Sequence, residues 1–306
     1  NSEILIAKKK QLPIYKRGDM LAHVVSLLKQ NITIAGSHGK TTTTSLVSGI
    51  FAKSKLDPTI INGGVLNSLN NSARLGKSKW CILESDESDG SFIKVPPTYS
   101  VVTNIDREHM DYYKSMDQLK NYFLEFIKKV PSFGKSFICI DDKINNELIK
   151  KIKIKNFYTY GINKNSNFRI KNVRHHKEFS LFDLNISLPA KRSITLYNIN
   201  IPLLGLHNIR NATAAAAVAS GTADIISHAM STQSAGSAIA GALARDMVQG
   251  ASNEVNTTSQ QLREAKEAVA SASTEAQKAA AEAKVQSAQA AADAARDALN
   301  AAQEAT

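Results

Sequence analysis

Residues 31–53 place the tightest constraint on the fold. Asn31-Ile32-Thr33-Ile34-Ala35 is a short apolar, β-branched run, followed by Gly36-Ser37-His38-Gly39-Lys40-Thr41-Thr42 and then an apolar-periodic stretch from Thr43 to Lys53. The order is strand, glycine loop, helix. Glycines at 36 and 39 let backbone N–H groups turn inward, and the helix start adds positive potential, so the loop suits a phosphate. It is shorter than the common G-x-x-x-x-G-K-[ST] form. Lys40 is expected against the β- and γ-phosphates and the Thr41 hydroxyl on Mg²⁺, with Gly36, Ser37, His38, Gly39 and Thr42 completing the cradle.

Further strand-like runs lie at 80–83, 99–103 and 136–140, with a helical pattern at 116–130 carrying Leu119, Phe123, Phe126, Ile127 and Val130 on one face. Strands alternating with helices predict an α/β fold: a P-loop-type parallel sheet with helices on both faces. Residues 152–202 read as a β-rich insertion, and 212–219 as a packed helix.

Composition divides the chain near Ser220. All 7 prolines, both cysteines and all 19 aromatics precede residue 221, and 221–306 holds 27 alanines in 86 residues. The formal charge of +11 conceals +15 in the first part and −4 in the second. A basic first part suits an anionic partner. No apolar run approaches the roughly 18 residues of a membrane helix, and Asn1-Ser2-Glu3 opens no signal-peptide pattern. Cys81 and Cys139 are too few for a disulfide framework or zinc site. Nucleotides, anionic substrates and nucleic acid fit the basic charge equally, and a cytoplasmic protein with no membrane partner is expected.

Three more segments carry chemistry. Glu84-Ser85-Asp86-Glu87-Ser88-Asp89 follows a strand directly, where α/β sheets place ligands; it reads equally as a cation site or a solvated acidic turn. Val101–His109 repeats strand then polar loop, and His109 by itself reads as a loop histidine. Gly205-Leu206-His207-Asn208-Ile209-Arg210-Asn211 precedes the alanine helix; Asn208 and Asn211, three apart, share a helical face, although an N-cap and a polar turn would look the same.

Taken together, Gly36–Thr44, Glu84–Phe92, Thr103–Asp111 and Gly205–Asn211 resemble the signatures of the Mur ligases, in order, over about residues 1–219. Ser88 stands where tripeptide-recycling members usually carry Tyr, which places the chain with the alanine-adding members. Ser37 replaces a usual Thr, and Glu108 a usual Asp. The resemblance implies an ATP-dependent amide ligase of peptidoglycan synthesis, with UDP-N-acetylmuramate, L-alanine, ATP and Mg²⁺ as partners and no nucleic-acid partner. It implies that Lys40 holds the phosphates, that Thr41, Glu84 and His109 form the metal site, and that Asn208 and Asn211 meet the base region of ATP. The sugar carboxylate takes the γ-phosphoryl group, and the acyl phosphate is attacked by the amine of L-alanine.

On the same resemblance, residues 1–29 are expected to be the end of a UDP-binding domain and 30–220 the central ATP-binding domain. The Arg-rich linker and Asp-Tyr-x-His-His segment of a third domain are not found after Ala219, so activity of the chain alone is not expected. Residues 221–306 form an Ala-rich helical tail of separate origin. Its stretch 260–303 lacks Gly and Pro and favours helix. Leu262, Val269, Ala276, Ala283 and Ala290 repeat every seven residues, as in an alanine coiled coil able to self-associate. A solvated helix or linker is the alternative. For the whole chain, the alternative is a non-catalytic nucleotide-binding remnant with a helical interaction tail.

Overall fold

The computed structural model describes residues 2–54, 56–66, 71–153, 156–189, 192–222, 259–269, 281–289, 292–293 and 296. Helices α1 (Ser2–Lys9) and α2 (Arg17–Ser26) precede β1 (Gln30–Ala35), α3 (Lys40–Lys53), β2 (Thr59–Leu66), β3 (Asn71–Arg74), β4 (Trp80–Glu84) and β5 (Tyr99–Val102). There follow α4 (Met110–Tyr113), α5 (Met116–Lys128), β6 (Lys135–Cys139) and α6 (Lys143–Leu148). The last elements are β7 (Phe157–Gly161), β8 (Phe168–His175), β9 (Ser180–Ile186), β10 (Ile194–Ile201) and α7 (Leu206–Gly221).

All the strands join one sheet, in the order β10-β9-β8-β7-β6-β5-β1-β4-β2-β3. From β2 to β8 every neighbouring pair is parallel; β3, β9 and β10 add antiparallel edges. The β-rich stretch is thus present as β7–β10, and it extends the parallel sheet.

The central strands are buried on both faces, which is why they read as continuous apolar runs. Ile32 and Ile34 of β1, Ile82 of β4, Val101 of β5 and Phe137 of β6 share one core with Leu46, Val47, Ile50 and Phe51 of α3 and the alanines of α7. Their strand neighbours Ala35, Val102 and Ile138 point the other way, onto Leu119, Phe123, Phe126 and Ile127 of α5. Cys81 and Leu83 face that way too, and meet Val25 of α2. Ser115 caps α5 by accepting from Gln118 N–H at 3.2 Å, and its apolar stripe is the one read from the sequence.

Helix α7 is buried from Ala212 to Ala219. Methyl side chains let it lie close against α3 and the sheet. Its end is closed by Thr222, fully buried, whose N–H donates to Val218 O at 3.1 Å.

In the tail, 259–269 and 281–289 are helical. Arg296 borders a shallow cavity together with Leu262, Arg263 and Glu267. Leu262 and Val269 are half-buried as the heptad requires, but Ala283 is exposed while Ala281 and Ala292 are buried. Residues 223–258, Ala276 and Ala290 lie outside the described residues.

Candidate functional site

The glycine loop is held open by the exit of β5. Ser37 N–H donates to Asn104 O at 2.9 Å, and its hydroxyl accepts from Asp106 N–H at 2.8 Å. Asn104 grips His38 from both sides, accepting its N–H at 2.9 Å and donating to its carbonyl at 3.0 Å. Thr103 Oγ1 donates to the same carbonyl at 2.8 Å. Gly36 has φ +138°, and a β-carbon there would lie 2.0 Å from Thr103 Oγ1. Gly39, at φ +81°, is the N-cap of α3. The first-turn N–H groups of α3 thus open on the loop, with the positive end of the helix behind them. Thr42 belongs to that first turn.

Lys40 folds back onto this loop. Its ammonium donates to Gly36 O at 2.7 Å, to Ser37 O at 3.2 Å and to Glu87 Oε1 at 3.1 Å. The Glu87 side chain is 1% exposed. Burial pushes its carboxyl above the ordinary carboxylate value, and the Lys40 charge opposes that shift. Its backbone is fixed too: the Tyr113 hydroxyl donates to Glu87 O, and Gly90 N–H does so at 3.0 Å.

Thr41 and Glu84, predicted as cation ligands, are brought together. Thr41 Oγ1 donates to Glu84 Oε1 at 3.2 Å, and Glu84 Oε2 accepts Gly63 N–H at 2.8 Å. Both are hard oxygen donors, close enough to serve one divalent cation. His109 is turned toward a different carboxylate: its Nε2 lies 3.8 Å from Glu87 Oε1. Glu87, Glu108 and His109 offer ligand atoms within 4.8 Å of one another. His109 has a left-handed backbone, φ +56° and ψ +37°, at the start of α4. That conformation is uncommon for a residue with a β-carbon and marks a position fixed by its surroundings. His38 pairs outward, with Nε2 3.2 Å from Asp106 Oδ2.

Asn208 and Asn211 do share a face of α7, with Asn211 Nδ2 3.4 Å from Asn208 Oδ1. A β-carbon at Gly39 would lie 2.6 Å from Asn211 Oδ1, so this face abuts the loop. Between them lies a cavity of about 460 Å³, bordered by His38, Gly39, Asn104, Tyr160, His207 and Asn211. On the other side of Lys40 and Thr41 is a second, of about 620 Å³, reached by Arg17, Asn62, Gly63 and Glu84. The loop therefore stands between two chambers.

Glu87, Thr103 and Asn104 were not singled out as site residues from the sequence. The first sits among five other polar residues of the run 84–89 and shows no sign there of being buried. The other two follow an apolar strand, the one signal that could have pointed to them.

Residues 34–219 match the Mur ligase middle domain. A UDP-N-acetylmuramate–L-alanine ligase of Pelagibacter ubique (strain HTCC1062) is 68% identical over 219 residues, covering 72% of this chain and 47% of that relative. One from Parvibaculum lavamentivorans is 42% identical over 222 residues, covering 72% and 45%. The chain spans about half the length of the curated relatives it matches. Among solved structures, a UDP-N-acetylmuramate-alanine ligase from Thermotoga maritima shares the fold, with TM-score 0.62 at 22% identity over 79% of this chain and 51% of that one. A UDP-N-acetylmuramate:L-alanyl-gamma-D-glutamyl-meso-diaminopimelate ligase from Neisseria also gives TM-score 0.62, at 20% identity over 78% and 73%. With the middle-domain match taking in more than half of its residues, the chain belongs to the Mur ligase family.

Proposed function

We propose that the chain carries the ATP-binding centre of an amide ligase that joins L-alanine to UDP-N-acetylmuramate. The observation that carries this reading is the glycine loop standing between two cavities, with Lys40 and Thr41 at the junction. ATP enters from the side of Asn208 and Asn211 and lays its phosphates on the loop. The acid substrate comes from the side of Arg17 and Glu84. A carboxylate oxygen of the acid then attacks the γ-phosphorus, the bond to the bridging oxygen breaks, and ADP leaves. The amine of L-alanine attacks the resulting acyl phosphate, and phosphate departs. Phosphoryl transfer of this kind needs position and charge neutralisation more than covalent help. Lys40 supplies a mobile ammonium for it, and the α3 N-terminus a fixed dipole.

Mg²⁺ fits the donor set of Thr41 and Glu84, and when bound would neutralise phosphate charge, with His109 as the third ligand that the resemblance implies. The names of the relatives support the substrates. The free, buried cysteines support a cytoplasmic setting. On this reading 1–29 ends a UDP-binding domain, 30–220 is the ATP-binding domain, and 221–306 is a separate helical segment. Calorimetric titration of the chain and of Lys40→Ala with ATP·Mg²⁺ tests it: tight binding lost in the variant is expected, and equal binding by both rejects it.

A second reading, a nucleotide-binding protein without turnover whose helical tail associates with itself or a partner, is favoured by the abrupt change of composition at Ser220. Amide formation by the 306-residue chain at the rate of a full-length relative rejects it.

A further inference from the structure

Lys40 has no hydrogen left for a phosphate. An ammonium offers three N–H donors, and these go to Gly36 O, Ser37 O and Glu87, whose Oε1 and Oε2 lie 3.1 and 2.9 Å from Nζ. Two acceptors are neutral carbonyls of the lysine's own loop. The third is a carboxylate shut away from water, where a charged hydrogen bond is strong.

The two partners differ in freedom. Glu87 is pinned through its carbonyl by Tyr113 and Gly90, and Tyr113 is itself wholly buried. Lys40 moves on a flexible four-carbon stem. When the pair separates, it is the ammonium that travels. The His109 imidazole, 3.8 Å from Glu87 Oε1, stands beside the carboxylate that is left.

We propose that Glu87 is an internal competitor for Lys40: a positioning residue that keeps the ammonium folded onto its own loop and yields it only to a ligand rich in phosphate charge. The loop thereby favours polyphosphates over ligands with one phosphate or none. This rests on the ligase reading only in requiring that the glycine loop bind a phosphate-bearing ligand.

The test is titration of the full chain, Glu87→Gln and Glu87→Asp with ATP, inorganic tripolyphosphate and adenosine, with circular dichroism as the check of folding. A merely structural role for Glu87 would make every variant bind worse. Competition gives the opposite sign: Glu87→Gln should bind ATP and tripolyphosphate about tenfold tighter, the worth of one hydrogen bond to a charged group, with adenosine unchanged. Unchanged or weaker ATP binding by a folded Glu87→Gln overturns the proposal. If that variant does not fold, Glu87→Asp, whose shorter side chain loosens the pair, decides by the same sign. A wild-type chain that binds no ATP rejects the ligase reading itself. Wild-type binding with no gain in the variants rejects only the competition.

Discussion

Gly39 and Asn211 are in contact: the loop glycine presents its bare α-carbon to the asparagine amide, with room for no side chain between them. Gly39→Ala meets two penalties, the left-handed backbone at φ +81° and a β-carbon 2.6 Å from Asn211 Oδ1. Strain of this sort costs about 1–3 kcal/mol. Denaturant unfolding should show a loss in that range, and ATP affinity should fall. Adding Asn211→Ala should restore part of the stability, because it relieves the contact and leaves the backbone strain.

Glu84→Gln keeps the shape of the side chain, lets its amide oxygen still accept Gly63 N–H and its NH₂ donate to the Thr41 hydroxyl, and removes the charge next to Thr41. Wild-type affinity for ATP should rise on adding Mg²⁺. The variant should bind free ATP about as well and lose most of the Mg²⁺-dependent gain. Titrations with and without Mg²⁺ check this, and a full gain in the variant would remove Glu84 from the cation site.

Asp183 on β9 braces two irregular neighbours. It accepts Asn198 N–H at 2.9 Å and the Asn172 amide at 2.7 Å, where β10 and β8 each slip register. These bonds, the Asn198 N–H first, hold its carboxyl below the ordinary value of 3.8. A depressed folded pKa means stabilisation that is fully present above the unfolded pKa of about 3.9 and lost as pH falls through the folded value. Asp183→Asn should cost about 1.5–3 kcal/mol at pH 7. In urea unfolding, the gap between wild type and variant should close only below about pH 4.

Burial pushes the Cys81 thiol up to about 12 and that of Cys139 up to about 11. Since the thiolate is the reactive form, N-ethylmaleimide at neutral pH should label neither cysteine in the folded chain and both in concentrated urea. Mass spectrometry reads the outcome.

Thr222 closes α7 inside the core, so a stop after it should leave the sheet and the loop intact. The chain shortened to residue 222 should bind ATP·Mg²⁺ like the full chain, and the peptide 259–306 should show helical circular dichroism when cold. Loss of nucleotide binding would show that the tail supports the site.

Sequence made the centre of the sheet legible because β1, β4, β5 and β6 are apolar on both sides and therefore stand out as unbroken runs. It hid β2, where Asn62, Gly63 and Gly64 break the run so that backbone can approach Glu84 and Thr41. It hid β8 as well, where Arg169, Lys171 and Arg174 alternate with buried Phe168 and Ile170 and the strand bulges at Asn172. Helix α2 carries Met20 and Val24 outward and Val25 inward, so no clean face appears. At the site, loop chemistry fixes Lys40 and Thr41 locally. The partner of Lys40 lies 47 residues on, and only the meeting of β1 and β4 in the sheet decides which carboxylate of the acidic run reaches it.

Helix α7 acts as a gauge block. Its distance from α3 and the sheet is set by methyl groups at Ala212, Ala214, Ala215, Ala216, Ala217 and Ala219, among the smallest side chains there are. A larger residue at any of them must crowd the Leu46, Val47, Ile50, Phe51 and Phe137 side chains in the same core, and overpacking of that kind is relieved by strained rotamers and backbone shifts. Where the helix backbone yields, Asn211 at its lower end shifts with it. Damage done several ångströms up the helix is thus delivered to the one place where a phosphate would feel it.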